Sequence, residues 1–211
     1  MNITRFKQTP LLGILRGVKE SMIEPLLEAA ISGGLGAIEI TMNTKGAAGL
    51  IKKMTTLAKG RIPVGAGTVL SMDSMKEALQ AGASFIVSPT LVKDVTEYCD
   101  KNYIPVFPGA FTPQEIFNAW QAGATMVKVF PAKFFGPDYI KEIKGPLNQI
   151  ELLACGGVST DNIGEFFNKG ASAAAFGGSV FKQEWLEAGD FEKIEACIKT
   201  LVKNIPLSAR G

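Results

Sequence analysis

AGATMVKVFP, the stretch Ala122–Pro131, contains the pattern that decides the fold. It begins with a glycine that can end a helix, continues as a short apolar run with β-branched residues, and closes on Phe-Pro. Side chains along a strand alternate between two faces, so Val127 and Val129 share one face and Lys128 lies on the other. The stretch therefore predicts a strand that joins a helix end to a tight connection.

The same pattern recurs along the chain. Short apolar runs rich in β-branched or aromatic residues alternate with amphipathic stretches at helical spacing. The eight runs are Leu11–Arg16, Ala37–Thr41, Ile62–Ala66, Ser84–Val87, Ile104–Phe107, Thr125–Phe130, Glu151–Cys155 and Ala171–Phe176. The amphipathic stretches are Glu20–Ser32, Gly46–Lys59, Met72–Ala81, Lys93–Asn102, Pro113–Gln121, Asp138–Ile143, Thr160–Asn168 and Phe191–Asn204.

The joints between these segments also repeat. Glycine stands between a helical stretch and the next strand at Ser32–Gly34, Ala81–Ala83, Ala122–Ala124 and Lys169–Ala171, where it can supply the left-handed residue that ends a helix. From Gly67 onwards, the joints that follow successive strands are 21, 20, 22, 26 and 21 residues apart. Such a period fits a solenoid or one β-α unit per repeat, and the alternation of strands with helices favours β-α units with parallel strands.

Eight such units predict one domain over residues 1–211, an α/β fold of the compact (β/α)8 TIM-barrel type. The chain is shorter than the roughly 250 residues typical of this barrel. A doubly wound open sheet has the same local pattern, but eight units with no strand left over favour closure. No linker, low-complexity tract or shift in composition divides the chain.

The composition excludes several classes of protein. Lysine and arginine number 22 against 20 acidic residues, and this balance gives no electrostatic case for a nucleic-acid partner. No uncharged apolar stretch approaches the roughly 18 residues of a membrane span, and Arg16 interrupts the apolar run Pro10–Leu15, so no signal peptide is predicted. Three widely spaced cysteines argue against a disulfide framework and fit a reducing cytoplasm.

The chain contains no histidine. This excludes Ser-His-Asp and Cys-His catalysis, as well as zinc sites that depend on imidazole. The cysteines Cys99, Cys155 and Cys197 lack C-x-x-C spacing. Any chemistry is therefore expected from lysine, carboxylates, hydroxyls, thiols or the backbone.

Lys128 and Glu39 are the main catalytic candidates. Active sites of (β/α)8 barrels lie at the C-terminal ends of the strands, and the alternation points both side chains into the barrel. A desolvated lysine there can attack a carbonyl carbon, and a carboxylate beside it can act as a general base. The pattern equally permits a buried structural ion pair, or a lysine whose head extends to the barrel mouth.

Further candidates follow other strands. Arg16 can hold a carboxylate or phosphate through its planar guanidinium. Thr68 can donate to an anion, or can cap a helix that begins near Ser71, although Ser71 is the better cap. Gly156–Gly157 and Gly177–Ser179 follow the seventh and eighth strands, where barrels commonly bind a phosphate through backbone N–H groups.

Together these residues resemble a known family. The motifs are Ile14-Leu15-Arg16-Gly17, Glu39-Ile40-Thr41, Gly65-Ala66-Gly67-Thr68-Val69, Ser88-Pro89, Pro108-Gly109, Lys128-Val129-Phe130-Pro131-Ala132, Gly156-Gly157-Val158 and Gly177-Gly178-Ser179. The set is similar to that of the 2-keto-3-deoxy-6-phosphogluconate / 4-hydroxy-2-oxoglutarate (KDPG/KHG) aldolases, which are class I pyruvate aldolases. The resemblance runs from about Leu11 to Phe181, and it implies a (β/α)8 barrel, a homotrimer, and no metal or other cofactor.

The resemblance also implies roles for individual residues. Lys128 would be the Schiff-base lysine and Glu39 the acid/base, while Thr68 would bind the pyruvate carboxylate and Arg16 would be a second substrate-binding group. The other implied contacts are Pro89 and Phe130 at the pyruvyl pocket, and Gly156, Gly157, Gly178 and Ser179 at the distal phosphate. The implied reaction splits a phosphorylated 2-keto-3-deoxy sugar acid into pyruvate and glyceraldehyde 3-phosphate, or 4-hydroxy-2-oxoglutarate into pyruvate and glyoxylate.

Two positions depart from the family pattern. Asn43 stands where some members carry an arginine, which would leave carboxylate binding to Arg16. Ala154-Cys155 replaces the Pro-Thr common in members that cleave the gluconate substrate. Members that act on the C4-epimeric galactonate substrate tend to have asparagine near 43 and an apolar residue near 155, so the C4 configuration stays open.

Two other functions also stay open at this point. One is a phosphosugar isomerase or epimerase, with Glu39 as base and Lys128 in an electrostatic role only. The other is a non-catalytic phosphometabolite-binding barrel in which Lys128 and Glu39 form a structural pair. A covalent imine on Lys128 would separate the aldolase from both.

Overall fold

The computed structural model describes residues 1–210. The strands are β1 (Leu11–Leu15), β2 (Ala37–Thr41), β3 (Val64–Gly67), β4 (Ile86–Val87), β5 (Val106–Phe107), β6 (Gly109–Ala110), β7 (Val127–Val129), β8 (Leu152–Cys155) and β9 (Ala173–Phe176). The helices are α1 (Ile3–Gln8), α2 (Ile23–Gly33), α3 (Ala47–Ala58), α4 (Met72–Gln80), α5 (Lys93–Lys101), α6 (Pro113–Gln121), α7 (Gly136–Lys144), α8 (Ile163–Asn168), α9 (Gln183–Ala188) and α10 (Phe191–Lys203).

The strands form one closed parallel sheet. Their order is β5-β4-β3-β2-β1-β9-β8-β7-β6, and β1 pairs with both β2 and β9. The two ends of this order, β5 and β6, are separated in the chain only by Pro108, so they are two segments of one barrel strand. This closure confirms the predicted (β/α)8 barrel and excludes the doubly wound open sheet. Proline lacks the N–H that a continuous ladder needs, which explains why eight predicted strands become nine segments.

The predicted elements are present, several of them with shorter bounds, whereas β2 and α6 keep the predicted bounds and α7 is longer than predicted. The run Thr125–Phe130 is a strand only over β7, and the helix predicted from Glu20 begins with a 3₁₀ turn, Glu20–Met22. The glycine joints end helices as expected, since Gly34 adopts φ +84° after α2. The sequence did not predict α1 and α9. Each has six residues, which is too short to show helical periodicity.

Two apolar clusters separate the inside of the barrel from its outside. The outer cluster packs the sheet against the helices and includes Ile38, Ile40, Val127 and Val129. The inner cluster fills the barrel with Phe6, Leu12, Ala37, Phe85, Val87, Phe107, Met126, Leu153, Cys155, Ala173 and Ala175. This division confirms the alternation that predicted inward-facing side chains at positions 39 and 128.

Helix α1 covers the N-terminal ends of the strands. Its Phe6 belongs to the inner cluster, and the ring centroid lies 6.3 Å from that of Phe107. The amino group of Met1 donates to the carbonyl oxygen of Ser84, just before β4, at 2.9 Å. With this end of the barrel filled, the C-terminal ends of the strands are left for a ligand.

Candidate active site

Lys128 extends from β7 towards the C-terminal end of the barrel. Its strand is held on both sides, with Gly109 of β6 and Leu153 of β8 as its register partners. The residue is 6% exposed, and its Nζ lies 5.2 Å from the ring centroid of Phe130, two residues nearer the mouth. Lys128 is therefore a buried lysine whose amino group lies near the ring of Phe130, at the end of the barrel where the strands finish.

Glu39 is buried in the same interior. It lies in β2, between Ile14 of β1 and Gly65 of β3, and is 1% exposed. Burial raises the pKa of its carboxyl group to about 7, although the positive charges of Lys128 and Arg16 act in the opposite direction. Its Oε2 has no hydrogen-bond partner. A carboxyl group that titrates near neutrality and has an unpaired oxygen has the properties of a general acid/base.

Gly67 provides the space that the Glu39 carboxyl group occupies. A Cβ atom at position 67 would lie 2.1 Å from Oε1 of Glu39 and 2.6 Å from its carboxyl carbon. Only a hydrogen atom fits there, so any larger residue would displace the carboxyl group. We could not assign a role to Gly67 from the sequence, because the need for a small residue arises from a contact between two neighbouring strands.

The buried lysine and glutamate do not form a structural ion pair. Within residues 1–210, every ion pair joins side chains that are partly exposed, and none includes Glu39 or Lys128. Their charges still interact, because Lys128 lowers the pKa of Glu39. The structural pair that the sequence left open is therefore not the arrangement in the barrel.

Cys155 forms part of the wall beside these two groups. It belongs to the inner cluster and is 3% exposed. Burial raises the pKa of its thiol, while the positive charge of Lys128 acts in the opposite direction and the charge of Glu39 adds to the rise. A thiol with a raised pKa stays protonated at neutral pH, so Cys155 presents a small neutral surface to the interior.

Arg16 and Gly178 line one cavity. Arg16 follows β1 and Gly178 follows β9, and because these strands pair, the two residues meet at the same edge. The cavity has a volume of about 420 Å³, and its other lining residues include Ile14, Gly177 and Phe181. An exposed guanidinium beside glycine backbone is suited to an anionic ligand group.

The glycine turn after β8 lies beside this edge. Gly156 and Gly157 adopt φ of +92° and +81°, a left-handed conformation that other residues rarely adopt. The hydroxyl of Ser179 donates to the carbonyl oxygen of Val158 at 2.7 Å, which ties the connection after β9 to the one after β8. The structure therefore brings the predicted phosphate residues to neighbouring connections, with the Ser179 hydrogen already engaged.

Pro89 and Phe130 line a second cavity, on another side of the mouth. This cavity has a volume of about 230 Å³ and also includes Gly109 and Phe111.

Thr68 directly follows β3 with φ +55° and is half-buried. It does not cap α4, because Ser71 does so by accepting from the N–H of Ser74 at 3.1 Å.

A pair of buried threonines lies beside the site, and we did not predict this pair from the sequence. Thr41 is 0% and Thr44 is 5% exposed, and their Oγ1 atoms are 3.1 Å apart. Thr44 Oγ1 also accepts from the N–H of Gly17 at 3.0 Å. The available signal was alternation along β2, which places Thr41 on the same face as Glu39; no local pattern indicates the contact of Thr44 with Gly17.

Two further properties of the described residues bear on the class of protein. In residues 1–210, no helix combines the length and the apolar character needed to span a membrane. The same residues contain no group of three or more cysteine, aspartate or glutamate side chains arranged to hold a metal ion.

The fold and the site together define a class of enzyme. A (β/α)8 barrel that holds a buried lysine amino group at its mouth, beside a carboxyl group that titrates near pH 7, is equipped for imine chemistry on a carbonyl substrate. Comparison with known proteins agrees with this class. The family described as KDPG and KHG aldolase matches residues 3–197.

Individual relatives give the same result. The chain is 32% identical to the 2-dehydro-3-deoxy-6-phosphogalactonate aldolase of Escherichia coli (strain K12), over 82% of this chain and 85% of the relative. It is also 32% identical to a 2-dehydro-3-deoxy-phosphogluconate aldolase of Pseudoalteromonas atlantica, over 93% and 92%. A solved structure described as native KDPGal superposes with a TM-score of 0.86 and 30% identity, over 92% of this chain and 93% of that one.

The chain belongs to the KDPG and KHG aldolase family. It is an aldolase, and therefore an aldehyde-lyase. Membership of this family favours the aldolase over the isomerase or epimerase, and over the non-catalytic binding barrel.

Proposed function

We propose that Lys128 is the lysine that forms the Schiff base and that Glu39 moves the protons of the reaction. The observation that carries this assignment is the pairing of a buried lysine amino group at the barrel mouth with a buried carboxyl group whose pKa is about 7. The unpaired Oε2 of Glu39 supports it, because a buried carboxylate oxygen without a partner is costly unless a ligand or water occupies it.

The reaction follows from these two groups. Lys128 attacks the C2 carbonyl carbon through its deprotonated amino group, and the resulting carbinolamine takes up a proton as it loses water, which gives a protonated imine. Glu39 accepts the proton of the C4 hydroxyl, the C3–C4 bond breaks, and its electron pair moves towards the imine nitrogen to form an enamine. The aldehyde leaves, C3 takes a proton from Glu39 directly or through water, and water hydrolyses the imine to release pyruvate and Lys128.

The proposed substrate is a 2-keto-3-deoxy-6-phospho sugar acid of the gluconate or galactonate series, cleaved to pyruvate and glyceraldehyde 3-phosphate. Cleavage of 4-hydroxy-2-oxoglutarate to pyruvate and glyoxylate is the second proposed reaction. Thr68 and Arg16 would bind the carboxylate end, and Pro89 and Phe130 would shape the pyruvyl pocket. The distal phosphate would lie against the backbone of Gly156, Gly157, Gly178 and Ser179. The names of the relatives support both sugar series, and the cavity beside Arg16 supports an anionic group.

The test is the release of pyruvate from each C4 epimer and from 4-hydroxy-2-oxoglutarate. We expect cleavage of at least one phosphorylated epimer and no cleavage by Lys128→Ala. The matched control, Lys141→Ala, removes an exposed lysine from α7 and should retain the wild-type rate. Near-normal turnover by Lys128→Ala would overturn the assignment of the lysine.

We also propose that the chain forms a homotrimer in the cytoplasm. Support for an assembly comes from the resemblance and from exposed aromatic residues, with Phe134 68% and Phe135 59% exposed. Support for the compartment comes from three free cysteines, Cys99, Cys155 and Cys197. Light scattering on the purified protein tests the first proposal: a mass of three chains is expected, and a monomer at micromolar concentration would contradict it.

A further inference from the structure

The chain turns sharply just after the first strand of the barrel. Arg16 follows β1, and the next residue, Gly17, has φ +66°. The peptide group between these two residues carries the N–H of Gly17, which donates to Oγ1 of Thr44 at 3.0 Å. The orientation of this peptide group fixes the backbone of Arg16 on its C-terminal side. Thr44 is thus hydrogen-bonded to the backbone next to Arg16, from which the Arg16 side chain extends.

Thr44 is itself held firmly. It is 5% exposed, its Oγ1 lies 3.1 Å from Oγ1 of the fully buried Thr41, and its N–H donates to the Thr41 carbonyl oxygen at 2.9 Å. The carbonyl oxygen of Thr44 accepts from the N–H of Ala47, at the start of α3, at 3.1 Å. The acceptor for Gly17 is therefore anchored to β2, the strand that carries Glu39.

We propose that Thr44 is a positioning residue that holds Arg16 in the direction needed to bind the substrate. This inference rests on the proposed function, because that function makes Arg16 a substrate-binding group. Without the Thr44 hydroxyl, the peptide group after Arg16 loses its partner and can rotate, since glycine permits many backbone conformations. Arg16 then spends less time over the cavity it shares with Gly178. Lys128 and Glu39 make no hydrogen bond with Thr44, and the backbone bond from Thr44 to β2 is retained, so we expect their geometry to be kept.

The test separates binding from chemistry. Thr44→Val keeps the shape of the side chain and removes the acceptor, so we expect KM for the phosphorylated keto acid to rise about tenfold, the usual scale for one lost hydrogen bond, with kcat within about twofold. Thr44→Ser keeps the hydroxyl and should restore the wild-type KM. The matched control is Thr56→Val, because the Thr56 hydroxyl donates only to the Lys52 carbonyl oxygen on the exposed face of α3. Thr44→Ala replaces the valine variant if that variant fails to fold.

A double-mutant cycle tests whether Thr44 acts through Arg16. In an Arg16→Ala background, Thr44→Val should leave KM unchanged, because the side chain that Thr44 positions is no longer present. An equal rise of KM in both backgrounds would overturn the proposal. A folded Thr44→Val protein with the wild-type KM would also overturn it.

Trapping pyruvate on Lys128 with borohydride distinguishes a failure of the Thr44 proposal from a failure of the proposed function. We expect an adduct at saturating pyruvate in both the wild type and Thr44→Val. An absent adduct in the wild type would defeat the proposed function itself. Adducts in both proteins, together with an unchanged KM, would defeat only the role of Thr44.

Discussion

Glu39 is the residue that we propose to move protons in this histidine-free protein. Its carboxyl group lies inside the barrel, where burial raises its pKa to about 7 and the charges of Lys128 and Arg16 limit that rise. A pKa near the working pH is optimal for a group that must both accept and donate a proton. The barrel thus gives a glutamate the titration range in which histidine usually works.

The pH dependence of the reaction should report this pKa. In the proposed mechanism, Glu39 accepts a proton during cleavage only in its ionised form, and a raised pKa means that this form is lost as the pH falls through about 7. We therefore expect kcat/KM for cleavage to decrease below about pH 7 in the wild type. Glu39→Gln should lack this decrease and should be slower by about 10²- to 10⁴-fold, while still forming the pyruvyl adduct.

The control for this profile is Glu184→Gln, which removes an exposed carboxylate from α9. This variant should retain the wild-type profile. An acid limb that persists unchanged in Glu39→Gln would contradict the assignment of Glu39.

Gly67 supplies a second test at the scale of one residue. Alanine at this position would place its Cβ 2.1 Å from Oε1 of Glu39, so the carboxyl group has to move. We expect Gly67→Ala to fold, to form the imine with pyruvate, and to lose at least about tenfold in kcat, since misplacing a reacting group by about 1 Å can cost 10²-fold.

The matched control is Gly49→Ala. A Cβ at position 49, within α3, meets nothing within 4 Å, and alanine there should stabilise the helix by up to about 1 kcal/mol without loss of activity. A wild-type kcat in Gly67→Ala would contradict this prediction, because it would show that the space beside Glu39 has no effect on catalysis.

At the scale of elements, helix α1 closes the end of the barrel opposite the site. Phe6 packs inside the barrel against Phe107, and the N-terminus is tied to Ser84. Phe6→Ala should therefore lower the free energy of unfolding by about 3 to 5 kcal/mol, as expected for truncation of a buried aromatic side chain. Below its melting temperature, the variant should keep the wild-type kcat, because the site lies at the other end.

Urea denaturation and a turnover assay on the same sample would check this expectation. A loss of less than about 1 kcal/mol would show that α1 does not contribute to the barrel core. A stable variant with a strongly reduced kcat would show that the two ends of the barrel are coupled.

The elements also show which features a sequence can predict. Alternation placed Lys128 and Glu39 inside the barrel, because buried β-branched neighbours mark the helix-facing side of each strand. Alternation could not predict that Pro108 divides a strand. That division depends on whether the sheet requires an N–H group at this position, which proline lacks. Short α1 lacked a periodic signal, although its single buried residue, Phe6, fills the barrel end.

At the scale of the whole molecule, the site exists only because the barrel closes. Arg16, Glu39 and Lys128 belong to three separate units, and the pairing of β1 with both β2 and β9 brings those units around one mouth. A repeat with a period near 20 to 26 residues predicts this architecture once it is combined with the alternation of strands and helices and with the count of eight units. Contacts between connections, such as Gly17 with Thr44 or Gly67 with Glu39, depend on three-dimensional distances that no local pattern encodes.

Every later step of the proposed reaction depends on a covalent imine between Lys128 and the keto acid. The most direct measurement is reduction with borohydride in the presence of pyruvate, followed by peptide mass mapping. We expect one reduced pyruvyl adduct, located on Lys128 and absent when pyruvate is omitted. A folded protein with no adduct, or an adduct on a different lysine, would contradict it.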